Sequence, residues 1–220
     1  TEVYKKISVE DSLLKLNKLK VVGFDTETSG IELWSNKLLL VQLGCKEFQV
    51  VIDCNTIDIK LYKDFFESDR LFIGWNLKFD IKWLFKEHII IKKLYDMFTA
   101  EKLLWLGFPA GYHSMSLKTA CENYLGINLD KSVRGKIIWY YTLSEDIIAY
   151  AAEDVEHLEN IMEAQKLSVK RKDLIDAVNF ENYFVSICAY FEYCGVKLDA
   201  DKWRKKMEKD EEDYKTALNE

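Results

Sequence analysis

Between residues 20 and 53 the apolar positions come in short runs with a period of two, whereas much of the later chain repeats near 3.6. Ahead of these runs, VEDSLLKLNK over 9–18 sets Leu13, Leu14 and Leu16 near helical spacing and predicts a short opening helix. KVVGFDTE then reads as a strand, with Val22 and Phe24 on one face and Asp25 and Glu27 on the other. LLLVQLG (38–44) and FQVVID (48–53) follow after short polar gaps, so the three strands predict an antiparallel meander. Beyond them helix alternates with strand. LYKDFFES predicts a helix, RLFIGW a buried strand, and NLKFDIKWLFKEH a helix with Asn76 as its N-cap and Phe79 and Trp83 as an apolar i,i+4 pair. Helices are also predicted over 97–106 and 116–125, the second closed by Gly126. SEDIIAYAAEDVEHLENIMEAQ is the strongest helical pattern in the chain, with Ser144 as its N-cap.

A boundary is expected near the basic cluster Lys170, Arg171 and Lys172, dividing the chain into residues 1–168 and 169–220. Past it the pattern predicts a long helix over 173–194 closed by Gly195, an extended GVKLD step, and a last helix capped by Asp199 or Asp201. On that last helix Trp203, Met207, Tyr214 and Leu218 form a narrow stripe amid charge, and the pattern runs to the final residue as in a piece of something longer. The whole reads as an α/β domain with a mixed sheet flanked by helices, followed by a helical extension.

With 220 residues and only one proline, Pro109, the chain can build a sizeable core and is neither fibrous nor disordered. Its five cysteines are odd in number and form no CxxC pair, which fits free thiols in a reducing compartment rather than a zinc site. No apolar run is long enough to span a bilayer and TEVYKKISVEDS is no signal peptide, so a soluble intracellular monomer with no membrane partner is expected. The net charge of −6 argues against holding nucleic acid by bulk electrostatics, although metal-binding carboxylates would account for part of the excess.

The candidate chemistry lies in three acidic motifs: Asp25 and Glu27 in FDTET, Asp80 in NLKFD, and Asp154 in YAAED. Acidic side chains avoid burial unless they are paired or metal-bound, yet each motif adjoins an apolar stretch. Asp25 and Glu27, two apart on a strand, project to one side and can share a cation. Asn76 and Asp80 share a face at a helix start, and Tyr150 and Asp154 share a face four residues apart. Taken singly, each motif also reads as a solvated strand edge, a capped helix start or an ordinary amphipathic helix. Together they point to metal-dependent phosphodiester chemistry.

In that order FDTET, GWNLKFD and YAAEDVEHL resemble the three exonuclease motifs of the DnaQ-like 3′–5′ exonuclease superfamily, in the branch with tyrosine in the third motif. The resemblance spans about residues 20–165 and implies an RNase H-like fold. LGINLDKS and the third motif are similar to RNase D, whereas GWNLKFD and ENYFVSICAYFEYCGVKLDADKW resemble the proofreading region of family-A DNA polymerases and its step toward the polymerase domain. The implied activity is removal of nucleotides from single-stranded DNA 3′ ends with two divalent ions, Mg²⁺ or Mn²⁺. The implied partner is a polymerase domain of the same chain. By the same resemblance Asp25 bridges both metals, Glu27 and Asp154 complete the site near the nucleophile, Asp80 holds the second metal through water, and Tyr150 orients the attacking water. Asn76 then contacts substrate, and Thr28 and Ile31 pack on the terminal nucleotide. Trp75 departs from the polymerase pattern, which has a polar residue there. Lys131, Arg134 and Lys136 form the best basic cluster within the domain and read equally as a solvated loop or as a contact for substrate phosphates, while His113 and His157 read as surface residues. An RNase D-like exoribonuclease and a catalytically silent scaffold are the competing readings.

Overall fold

The computed structural model describes residues 4–109, 111–129 and 143–219. A short helix α1 (Val9–Leu16), capped by the Ser8 hydroxyl, leads into β1 (Val21–Thr28), β2 (Leu38–Cys45) and β3 (Phe48–Asp53). These three strands form the expected antiparallel meander. LYKDFFES folds as a 3₁₀ turn (Ile59–Tyr62) and a single-turn helix α2 (Lys63–Phe66) rather than one continuous helix. Then come β4 (Leu71–Gly74), α3 (Leu77–Lys86), β5 (Lys93–Asp96), α4 (Met97–Leu104) and α5 (Leu117–Leu125). The five strands lie in the order β3-β2-β1-β4-β5, with β4 parallel to both β1 and β5. The sheet is therefore mixed, and β1 is its centre.

Strand β5 is absent from the sequence reading. Its KLYD segment is too short to show a period, and it exists because β4 offers an edge beside which it can pair. The long helical pattern after Ser144 also differs from expectation, for it breaks at His157 into α6 (Glu145–Glu156) and α7 (Leu158–Arg171). The two halves serve different parts of the sheet. Helix α6 crosses β1, β2 and β3, whereas α7 packs on β1, β4, α4 and α5.

Both faces of the sheet are covered. On one, Val22, Phe24, Val41, Leu43 and Phe72 meet Leu77, Ile81 and Leu84 of α3 and the rings of Phe65 and Phe66. Phe24 and Phe66 stand edge to face at 5.5 Å, and burying each such ring is worth about 1.5–3 kcal/mol. On the other face Leu40 packs with Ile147, Tyr150 and Ala151 of α6. Helix α8 (Ile175–Cys194) packs on α3, α4 and β5, adding Val185 and Ala189 to the first core. Helix α9 (Ala200–Asn219) starts at Asp199, whose carboxylate accepts from the Lys202 N–H, and its stripe of Trp203, Met207, Tyr214 and Leu218 is exposed. Among the described residues no helix is long and apolar enough to cross a membrane.

Helix α6 lies unusually close to β1. A Cβ at Gly23 would stand 2.9 Å from the Val155 carbonyl oxygen and 3.1 Å from that of Gly44. Both obstacles are backbone, which cannot rotate away. Gly23→Val is expected to lower unfolding free energy by about 1–3 kcal/mol, read from urea denaturation; an unchanged midpoint would refute this account of the contact.

Candidate active site

The alternation of β1 assigns its acidic residues to one layer. Asp25 and Glu27 face α6, and one ligand oxygen from each lies within 4.8 Å of the others and of Asp154, which α6 contributes. Asp154 is buried, and the two strand carboxylates are half-buried. The β1–β2 register shifts between Glu27 and Thr28, so a bulge ends the ladder beside the cluster. Tyr150, one helical turn before Asp154, is buried in one cluster with Leu40, Ile147 and Ala151.

Asp80 does not join this triplet. It projects from α3 on the opposite layer, fully buried, and its Oδ1 accepts a 2.6 Å hydrogen bond from the Thr26 hydroxyl. Thr26 is the intervening residue of the D-T-E run, so its side chain points to the other face from those of Asp25 and Glu27. Burial pushes the Asp80 carboxyl up to about 7; the Thr26 bond opposes the shift, and the Asp96 and Glu27 charges add to it. A divalent cation nearby would favour the ionised form.

Asn76 precedes α3 but does not cap it. Its backbone is left-handed, at φ 67°, and its side chain makes no capping bond. Its N–H donates instead to Asp96 Oδ1 at 2.9 Å, and that carboxylate also accepts from the Phe98 N–H and the Thr99 hydroxyl. Asp96 thus caps α4 and ties down the turn that aims α3. Burial raises its carboxyl pKa, and the Asn76 N–H bond is the largest opposing influence. Trp75 turns inward, with Nε1 donating to the Met115 carbonyl at 3.2 Å.

The segment from Ser29 to Lys37 closes over α3, where Lys86 Nζ donates to the carbonyls of Leu33 and Asn36. The Thr28 hydroxyl is used within this turn, donating to the Gly30 carbonyl at 2.8 Å. Ile31 is 79% exposed, and Trp34, 67% exposed, leans on Tyr193 at 5.3 Å. Lys131, Arg134 and Lys136 lie outside the described residues. His157 is half-buried at the α6–α7 junction. His113 departs from its expected surface role: its side chain is stacked on Trp105 at 4.1 Å, and Nε2 lies 2.9 Å from Glu101 Oε1. The buried Glu101 also accepts from Trp105, Tyr124 and Gln165, so His113 belongs to a structural polar cluster.

Thr26 and Asp96, which hold Asp80 and the Asn76 turn, and Gln42, buried opposite Asp25, are not among the residues predicted from the sequence. Gln42 had a visible signal, being the single polar side chain in the apolar run LLLVQLG. Thr26 and Asp96 had none, because their roles depend on residues far away in sequence.

A family model for the 3′–5′ exonuclease domain of family-A DNA polymerases matches residues 1–169. DNA polymerase I of Aquifex aeolicus is 30% identical over 174 residues, which are 79% of this chain and 27% of that protein. The chain therefore matches about a quarter of that relative's length. Among solved structures, Escherichia coli RNase D aligns with a TM-score of 0.74 at 20% identity, covering 92% of this chain and 54% of that one. Brucella melitensis NrnC, in structures with bound Mg²⁺ and bound to pGG, aligns with a TM-score of 0.73 at 19% identity, covering 83% of this chain and 89% of that one. At those identities the structural likeness establishes the fold, the mixed α/β sheet of the DnaQ-like nucleases. By the family match over three quarters of its length, the chain belongs to the 3′–5′ exonucleases of the family-A DNA polymerase type.

Proposed function

We propose that this domain removes nucleotides from single-stranded DNA 3′ ends by divalent-cation-dependent hydrolysis, as the proofreading part of a longer polymerase chain. The observation that carries the reading is the convergence of Asp25, Glu27 and Asp154 within 4.8 Å. Like charges at this spacing repel, and a cation among them offsets the repulsion. An all-oxygen donor set suits hard ions such as Mg²⁺ or Mn²⁺. The Mg²⁺-bound NrnC relative supports the same class of cofactor.

A pair of such ions would supply the Lewis-acid chemistry of phosphodiester hydrolysis, activating water and stabilising the leaving 3′ oxygen. In this reading Asp25, Glu27 and Asp154 are the principal ligands, and Asp80 is the fourth carboxylate. Tyr150 orients the attacking water. Its phenol serves as a hydrogen-bonding partner that positions the water. Asn76, Thr28 and the exposed Ile31 receive the terminal nucleotide, whose base needs an apolar surface to stack on. Residues 1–168 carry the exonuclease site, and 169–220, whose helix α8 packs back on α3, α4 and β5, lead toward a polymerase domain.

Digestion of 5′-labelled single-stranded DNA, with RNA in parallel, tests the proposal. A ladder receding from the 3′ end of DNA in Mg²⁺ or Mn²⁺, abolished by EDTA, is the expected result. A ladder mainly on RNA would favour an RNase D-like activity, and no cleavage of either would favour a silent scaffold. Asp25→Ala and Asp154→Ala are expected to reduce cleavage to background. Tyr150→Phe should cost roughly ten- to a hundredfold, the scale of a misplaced reactant; total loss in all three would contradict this division of roles. Thr26→Val removes the donor to a buried carboxyl. It should lower unfolding free energy in EDTA by about 1–3 kcal/mol and slow cleavage, and equal stability in urea would show that the bond contributes nothing.

A further inference from the structure

The carboxylate cluster has a polar neighbour on β2. Gln42 sits in the middle of β2, completely buried, and among the described residues neither Oε1 nor Nε2 of its side chain has a hydrogen-bonding partner. A buried amide left unpaired costs about 1–3 kcal/mol by comparison with protein mutants. The flanking Val41 and Leu43 belong to the apolar core on the opposite face. Packing alone would be better served at this position by leucine or methionine.

The register shows what the amide faces. Gln42 is directly opposite Asp25 in the β1–β2 ladder, and Glu27 is opposite Leu40. Directly opposed residues project to the same side, with Cβ atoms about 4.5–5.5 Å apart. On the far side of Gln42, β3 contributes Val51, which packs with Leu40, Ile147, Tyr150 and Ala151. Two residues along β2, on the same face, Gly44 stands opposite Gly23 beneath the Val155 carbonyl. The Gln42 amide is therefore enclosed by an apolar wall on one side and has Asp25 on the other.

We propose that Gln42 is a positioning residue for the cation site, its Nε2–H donating to the carboxylate of Asp25 while Asp25 serves as a ligand. A carboxylate has about four lone-pair positions on its two oxygens, so it can hold a cation and still accept a hydrogen bond. Such outer donors fix the orientation of a ligand. A neutral amide does this without bringing a positive charge that would compete with the cation, as a lysine or arginine would. The inference rests on the reading of Asp25, Glu27 and Asp154 as a cation site.

The test is Mn²⁺ titration followed by electron paramagnetic resonance, paired with urea unfolding in EDTA. It compares the wild type with Gln42→Met, Gln42→Leu and Asp25→Asn. The two apolar replacements answer the same question, so one that folds poorly does not leave it open. A Gln42 variant should be at least as stable as wild type in EDTA yet bind Mn²⁺ about 10- to 100-fold more weakly, while Asp25→Asn loses most binding. A purely structural role for Gln42 would not separate stability from affinity in this way. Wild-type Mn²⁺ affinity in the folded Gln42 variants, with Asp25→Asn defective, would overturn the role of Gln42 and leave the cation site standing. Absence of Mn²⁺ binding by the wild type would overturn both.

Discussion

The depth at which helix α6 settles onto β1 governs the candidate site, and the missing side chain at Gly23 sets that depth. The Val155 carbonyl comes to within 2.9 Å of where a Cβ would be, closer than any other residue type would permit. Asp154 is the residue before Val155, so the contact carries its carboxylate down to Asp25 and Glu27. The same descent buries Tyr150 and Ala151 against Leu40. A helix held farther out would keep its amphipathic pattern and its caps but would separate the three acids.

The chain buries other acidic groups by quite different means. Glu101 accepts hydrogen bonds from Trp105, Tyr124 and Gln165 and stands beside His113, and Asp96 caps α4 while holding the turn before α3. Asp80 takes the Thr26 hydroxyl and has its pKa pushed up to about 7, chiefly by burial. These groups meet donors, as buried acids must. In the triplet acid also converges on acid, an arrangement that favours a divalent cation. Strand β1 separates the two situations, sending Thr26 toward α3 and its acidic neighbours toward α6.

Much of this was legible before folding was considered. The period of two in KVVGFDTE assigned Asp25 and Glu27 to one face, and the i,i+4 spacing aligned Tyr150 with Asp154. Ser144 and Gly126 end their helices as their chemistry dictates, the serine hydroxyl accepting from Ile147 N–H and the glycine adopting a left-handed backbone. Asn76 is instructive in the opposite direction. It stands at the expected position before α3, but the nearby Asp96 captures its N–H and its backbone turns left-handed. Likewise His113 has no apolar pattern around it, and only the approach of α4 brings its ring to Glu101.

The sequence by itself determined the strand and helix periods, the acids they carry, and the family to which their order belongs, because these are properties of neighbours along the chain. Tertiary structure decided which acids meet: Asp154 joins Asp25 and Glu27, whereas Asp80 pairs with Thr26 across β1. It also created β5, broke the long helix at His157, and enclosed Gln42 beside Asp25. Each of these depends on packing distances between segments remote in sequence, and no local period encodes such a distance.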